Sequence, residues 1–180
     1  MRYWITTDTH LGHRKLEELS GRPLNFENLI IENHRKMILP DDILIHLGDF
    51  ALCKSDEYLK WNNAFTALPF KKILVLGNHD KKSDSWYYDH GWDFVCKSFS
   101  IKFLGNRILF THIPQEKFHL HNINIHGHFH NNDHRFVEPE IQKYYDPKFH
   151  KPLAIEYTNY QPILLETFLN NETDKDKTKI

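Results

Sequence analysis

The chain has 180 residues, of which 40% are hydrophobic and 14% aromatic, and its formal net charge is -1. That length suits a single domain with a real core, and that composition excludes a disordered chain. No apolar run approaches the roughly 20 residues that span a bilayer, and the near-zero charge supplies no field to draw the whole molecule to nucleic acid or anionic lipid. The start, Met1 to Asp8, has too short an apolar stretch for a signal peptide. Cys53 and Cys96 are too few and too far apart for a disulfide framework. A cytoplasmic location is therefore expected. Histidine is the outlier, with 14 in the chain, gathered near the start and between 112 and 134.

In chain order, strands alternate with helices. Tyr3 to Thr7 reads as a strand ending in Asp8-Thr9-His10. Apolar residues at Phe26, Leu29, Ile30 and Met37 predict a helix over 26–38, stopped by Pro40. Ile43 to Leu47 is a second strand, ending in Gly48-Asp49. Ser55 is the expected cap of a helix to about Leu68, with Asp56 and Glu57 favouring its positive end. Ile73 to Leu76 is a third strand, ending in Gly77-Asn78-His79-Asp80. Ile101–Leu104 and Arg107–Phe110 form a hairpin around Gly105-Asn106, and the second arm runs into Thr111-His112. Ile123 to Ile125 ends in His126-Gly127-His128-Phe129-His130. Leu153 to Tyr157 reads as a last strand, followed by a turn at Asn159–Pro162. The expected organisation is one domain over 1–169 and a frayed polar tail over 170–180, whose charges lack apolar periodicity.

Five strands thus end in residues able to bind metal or move protons. Ligands of open α/β sheets bind outside the carboxyl ends of strands. Strands lying side by side and pointing one way would bring these endings to one edge. The set is carboxylate, imidazole and amide oxygen, the ligands of divalent first-row metals. It is too large for one ordinary site and suits two ions sharing a carboxylate, an arrangement that clamps both oxygens of an in-line displacement at phosphorus.

Asp8-Thr9-His10, Gly48-Asp49, Gly77-Asn78-His79-Asp80, His112 and Gly127-His128-Phe129-His130 together resemble the calcineurin-like metallophosphoesterases, whose pattern is D-x-H, G-D, G-N-H-[DE], H and G-H-x-H. All five blocks are present in order, and the resemblance is to the small bacterial and phage-type members. Gly48-Asp49-Phe50 departs from the G-D-x-V-D-R-G of protein phosphatases, which argues against that role. The resemblance implies a four-layer α/β/β/α sandwich. It implies that Asp8, His10, Asp49 and His130 hold one metal, and that Asp49 is shared with a second metal held by Asn78, His112 and His128. His79 would face the substrate, stabilise the transition state and protonate the leaving oxygen. The attacking group would be a metal-held hydroxide.

The expected cofactors are two divalent ions, manganese first, with iron, zinc or nickel as alternatives. The expected partner is a phosphodiester or phosphomonoester, such as a nucleotide. His13 and Arg14 follow the first metal block and are placed as phosphate-binding candidates, Arg14 against the alternative of a solvated loop. Lys81 and Lys82 are read as solvated. Phe50, Trp86 and Tyr87 are read as packing residues rather than a stacking wall. Asp80 either orients His79 or caps the next segment. His46 and His126 are expected as buried supports of the ligands. His34, His90, His119, His121, His134 and His150 are expected to be surface or packing residues. The competing functions are a non-catalytic metal-binding scaffold and a nuclease on single strands. The intact ligand set argues against the first, and the absence of a basic stripe argues against the second.

Overall fold

A computed structural model of the chain describes residues 1–116, 120–132 and 138–177, with side chains described as far as residue 171. His119 and His134 lie outside the described residues. Two sheets are flanked by helices. The first sheet holds parallel strands β1 (Tyr3–Thr6), β2 (Ile43–His46), β3 (Lys71–Val75) and β4 (Phe94–Cys96), with antiparallel β9 (Ile163–Leu164) on the far side of β1. Its order is β4-β3-β2-β1-β9. The second sheet has the order β5-β6-β7-β8, built from β5 (Ser98–Phe103), β6 (Asn106–Thr111), β7 (Ile123–His126) and β8 (His150–Pro152). Here β5 and β6 form the antiparallel hairpin expected around Gly105, and β6, β7 and β8 run parallel.

The two-residue period of a strand explains the layering. Trp4, Leu44 and Leu74 point to one face and join a core with helices α2 (Phe26–Met37) and α3 (Ser55–Thr66). Ile5, Ile45 and Val75 point to the other face and meet Ile108, Phe110 and Ile125 of the second sheet. With both faces covered, these strands read as continuous apolar runs. Helix α2 buries Phe26, Ile30, Ile31 and His34, and α3 buries Tyr58, Trp61, Asn62 and Phe65, each a single face at helical spacing. Phe50 and Tyr87 are fully buried, as packing residues should be.

Short elements escaped the sequence: α1 (Leu16–Leu19), α4 (Asp84–Asp89), β4, α5 (Pro139–Gln142) and β9. None is long enough to show a period. Ser55 is the first residue of α3 and makes no capping bond; extended Lys54 precedes it. The strand expected at Leu153–Tyr157 is corrected. The strand is β8 and ends at Pro152, and Ile155–Thr158 is a 3-10 turn closed by Asn159 and Tyr160 at φ 53° and 59°. Burial of Leu153, Ala154 and Ile155 gave that segment its strand-like apolarity. The final helix, α6 (Leu165–Lys177), continues through most of the segment expected to fray. Leu165, Phe168 and Leu169 anchor its first half in the core between the sheets.

Candidate metal centre

Parallel β1, β2 and β3 in one sheet and parallel β6 and β7 in the other bring the five strand endings together. The loops after β1 and β2 stay zipped beyond the sheet: Asp8 N donates to Gly48 O at 2.9 Å, His10 N to Asp49 O at 2.9 Å, and Leu11 N to Phe50 O at 3.0 Å. Asp8, His10, Asp49, His128 and His130 all adopt left-handed backbone, with φ of 49°, 44°, 53°, 72° and 54°. Each such non-glycine residue stores on the order of 1–3 kcal/mol of strain, and strain of this kind gathers at functional sites. Two glycines make room for the carboxylates. A Cβ on Gly77 would strike Asp49, and one on Gly127 would strike Thr7 and Asp8.

Two trios of ligand atoms result, Asp8 with His10 and His130, and Asp49 with His112 and His128; within each, the atoms lie within 4.8 Å of one another. Each carboxylate gives one oxygen to the protein and turns the other to the histidines. Asp8 Oδ2 accepts from Thr7 Oγ1 at 2.5 Å and from His128 N at 3.0 Å. Asp8 Oδ1 is buried without a hydrogen-bond partner, 3.4 Å from His130 Nε2. Asp49 Oδ1 accepts from His79 N at 2.8 Å. Asp49 Oδ2 lies 3.5 Å from His10 Nε2 and 3.3 Å from His112 Nε2, so it sits between the trios. His112 Nδ1 donates to Leu47 O at 2.7 Å, which turns Nε2 inward, 3.0 Å from Asn78 Oδ1 and 3.2 Å from His128 Nδ1.

A buried meeting of acceptors is unfavourable unless cations lie among them. The titration of the groups reflects this. Burial, the largest single influence, opposes charge on His112, but its bond to Asp49 and the nearby Asp8 and Asp49 charges together outweigh it and push its pKa up to about 9. Burial would raise Asp49, yet its contact with His112 holds it below the ordinary carboxylate range. Burial drives His10 down to about 2, which keeps its imidazole neutral, as a metal ligand must be. The donor set, the bare Asp8 oxygen and the shared Asp49 oxygen fit two divalent ions. Seven residues would hold them: Asp8, His10 and His130; Asn78, His112 and His128; and Asp49 between.

His79 stands at the mouth, its side chain 41% exposed and its Nε2 4.0 Å from Asp49 Oδ2. His13 lies against the cluster, its ring centroid 5.8 Å from that of His10, and burial lowers its pKa. Arg14 is brought elsewhere. Its exposed side chain lines a depression with Glu17, Glu27 and Trp61 that none of the candidate ligands lines. Lys81 and Lys82 share a small cavity with His79, and the Lys82 ammonium lies 5.6 Å from the centre of the Tyr58 ring. Asp80 does neither task expected of it. Its carboxylate accepts from Asp49 N at 2.8 Å, Phe50 N at 3.1 Å and Gly77 N at 2.8 Å, pinning the second metal loop to the third. His46 is fully buried and bonds Thr9 Oγ1 at 2.9 Å. His126 is fully buried, with Nδ1 donating to Gly127 O at 2.9 Å. His34 and His150 are also buried.

Two supporting residues carry no signal in the sequence. Glu156, in the 3-10 turn, accepts from His130 Nδ1 at 3.1 Å, which directs His130 Nε2 toward Asp8. Buried Arg22 donates to Glu156 Oε1 at 2.7 Å and to the carbonyls of Asp8 at 2.7 Å and Thr9 at 2.8 Å. Burial works against a charged Glu156, but His130 and Arg22 prevail and hold its pKa at about 2. A carboxylate orienting a histidine in this way is a recurring support of metal ligands.

The chain is similar over its whole length to a solved protein of unknown function, AQ665 from Aquifex aeolicus. Identity is 28%, 97% of this chain and 98% of that one are covered, and the TM-score is 0.71. It is more distantly similar to an archaeal phosphodiesterase, at 22% identity over 71% and 73% of the two chains with a TM-score of 0.47. A nuclease, MPE, from Pseudomonas putida matches at 17% identity over 72% and 62%, with a TM-score of 0.48. A comparison with curated protein sequences gave no significant match. The family model for calcineurin-like phosphoesterases matches residues 1–170. With that match over nearly the whole chain, the protein belongs to the calcineurin-like phosphoesterases.

Proposed function

We propose that the protein is a two-metal hydrolase of a phosphodiester or phosphomonoester of nucleotide type. The observation that carries this reading is the Asp49 carboxylate, whose Oδ2 lies within 3.5 Å of imidazole nitrogens from both trios. An oxygen so placed would let Asp49 help to hold both ions, the arrangement suited to a displacement at phosphorus. When bound, the ions would polarise the phosphoryl oxygens and lower the pKa of water to near neutrality, with manganese first among manganese, iron, zinc and nickel.

The chain's own residues do the rest. Leu47 O and Glu156 fix the ring orientations of His112 and His130, so their Nε2 atoms face the centre without searching. Asp80 holds the Asp49 and Gly77 loops in register. His79, half exposed beside Asp49, is the group positioned to donate a proton to the leaving oxygen. His13, packed against His10, lines the approach to the same centre.

The test is hydrolysis of a chromogenic phosphodiester and the matching monoester by protein stripped of metal and reloaded with manganese. Manganese-dependent turnover is expected. In His79→Ala, turnover should fall about 10²–10⁴-fold with metal content retained, because the bond to Asp49 Oδ1 comes from the His79 backbone, which alanine keeps. No turnover of either ester by protein holding two metals would overturn the reading in favour of a non-catalytic scaffold.

A further inference from the structure

A cavity of about 730 Å³ opens directly from the metal cluster, with Asn78 and His112 as its inner wall. Its size falls in the range that seats small-molecule ligands, roughly 300–1,000 Å³. Leu76, Leu109 and Ile113 supply apolar surface, and Ser98, Gln115 and Lys97 supply polar edges. The Lys97 side chain is exposed at the rim. His121 also lines this space, and its Nδ1 is buried without a hydrogen-bond partner. A lining of apolar faces with polar edges suits a ring system that carries hydrogen-bonding groups.

The wall is anchored by buried side chains rather than left as a chance surface groove. Asn124, fully buried on β7, accepts from Gln115 N at 3.0 Å while its amide donates to Leu109 O at 3.1 Å and Thr111 Oγ1 at 3.0 Å. Buried His150 donates from Nε2 to Gln115 O at 2.8 Å, and Tyr144 OH donates to Pro114 O at 3.0 Å. Three elements of the second sheet and its covering segment thus hold the loop 113–115 at the cavity edge. Preorganisation of this kind lowers the cost of binding.

The cavity also has a direction. His79 does not line it; His79 lines the smaller cavity of about 210 Å³ with Lys81 and Lys82. If His79 serves the leaving oxygen, the leaving group exits on its side. The large cavity then faces the substituent that stays on phosphorus. We infer that the cavity beside Asn78 and His112 seats the retained organic arm of a phosphodiester, an arm of nucleoside size. This rests on the phosphoesterase reading above and narrows its substrate to diesters.

The test uses two diesters with the same leaving group, thymidine 5′-(p-nitrophenyl phosphate) and methyl p-nitrophenyl phosphate, on the manganese-loaded full chain. Only the retained arm differs. The thymidine ester should show kcat/KM at least tenfold above the methyl ester. Ser98→Trp, placed at an exposed strand position where it would fill the cavity, should cut that ratio at least tenfold. Lys97→Ala should cut it in the same direction and guards against a folding defect in the first variant. Turnover of both esters without a thymidine preference, or a ratio untouched in a natively folded Ser98→Trp, overturns the cavity assignment while leaving the phosphoesterase intact. Failure of both diesters and of p-nitrophenyl phosphate overturns the phosphoesterase reading itself, and the cavity assignment with it.

Discussion

At the scale of single residues, the site divides work between ligands and the groups that aim them. Asp49→Asn keeps shape but removes the charge from the oxygen shared by the two trios. Titration calorimetry with manganese should show one of two binding events lost or strongly weakened, and diester turnover nearly abolished. Two tight ions in that variant would refute the shared-carboxylate assignment. Glu156→Gln is subtler. The amide still fills the space, but it no longer holds His130 with a charge-assisted bond, and Arg22 loses its counter-ion. Metal affinity should weaken about 10–100-fold, the usual effect of removing such a support. Metal analysis after dialysis against a weak chelator would check it; unchanged retention would mean that the pair serves stability alone. The candidate ligands are readable in the sequence because each follows an apolar strand in a short motif. Arg22 and Glu156 are not, because the two are 134 positions apart and each sits in a segment without regular pattern.

At the scale of elements, the metal loops are packed to backbone contact. Gly77 and Gly127 lie where the third and fifth loops cross the carboxylates of the second and first. Gly77→Ala should therefore displace Asp49, and its signature should be loss of metal binding out of proportion to loss of stability. A variant that binds manganese normally would show that the loop relaxes more readily than its contacts imply. The carboxyl-terminal helix offers the opposite case. Leu165, Phe168 and Leu169 hold α6 in the core, and all three precede residue 171. Deleting residues 171–180 should leave the melting temperature within a few degrees and the activity intact. A large fall would show that the end of α6 docks. The helix extends to Lys177 although the sequence there lacks apolar periodicity, because a helix anchored at its start propagates at little further cost. Apolar content alone suggested a strand at Leu153–Tyr157. The observed turn is what carries Glu156 to His130, so this misread element is also the one that completes the site.

For the whole molecule, burial of neutral histidine links stability to pH. His34 is fully buried on α2, with Nδ1 donating to Ile30 O at 2.7 Å. Burial lowers its pKa to about 4 from an ordinary 6.5. The unfolded chain therefore binds a proton between those values that the native chain refuses. Its contribution is whole above pH 6.5 and is lost as pH falls toward 4, on the order of 3 kcal/mol in all and about 2 kcal/mol by pH 5. His34→Leu should flatten that part of the profile. Urea denaturation at pH 7 and pH 5 measures it, and an unchanged slope in the variant would place the pH dependence elsewhere. No helix among the described residues is long and apolar enough to cross a membrane, in keeping with the absence of long apolar runs in the sequence.

Read alone, the chain shows the alternation of strands and helices, seven candidate ligand residues and the family they resemble. Each of these is local: a period of two or 3.6, or a motif of a few residues at the end of a strand. The tertiary structure decided what depends on distant segments meeting. It put the Asp49 oxygen between imidazoles of both trios, used Asp80 to tie two loops together, and set Arg14 in a separate depression. It joined Arg22 and Glu156 behind His130 and raised an anchored wall around the large cavity. Those outcomes follow from sheet order and loop crossing, which no spacing within a single segment encodes.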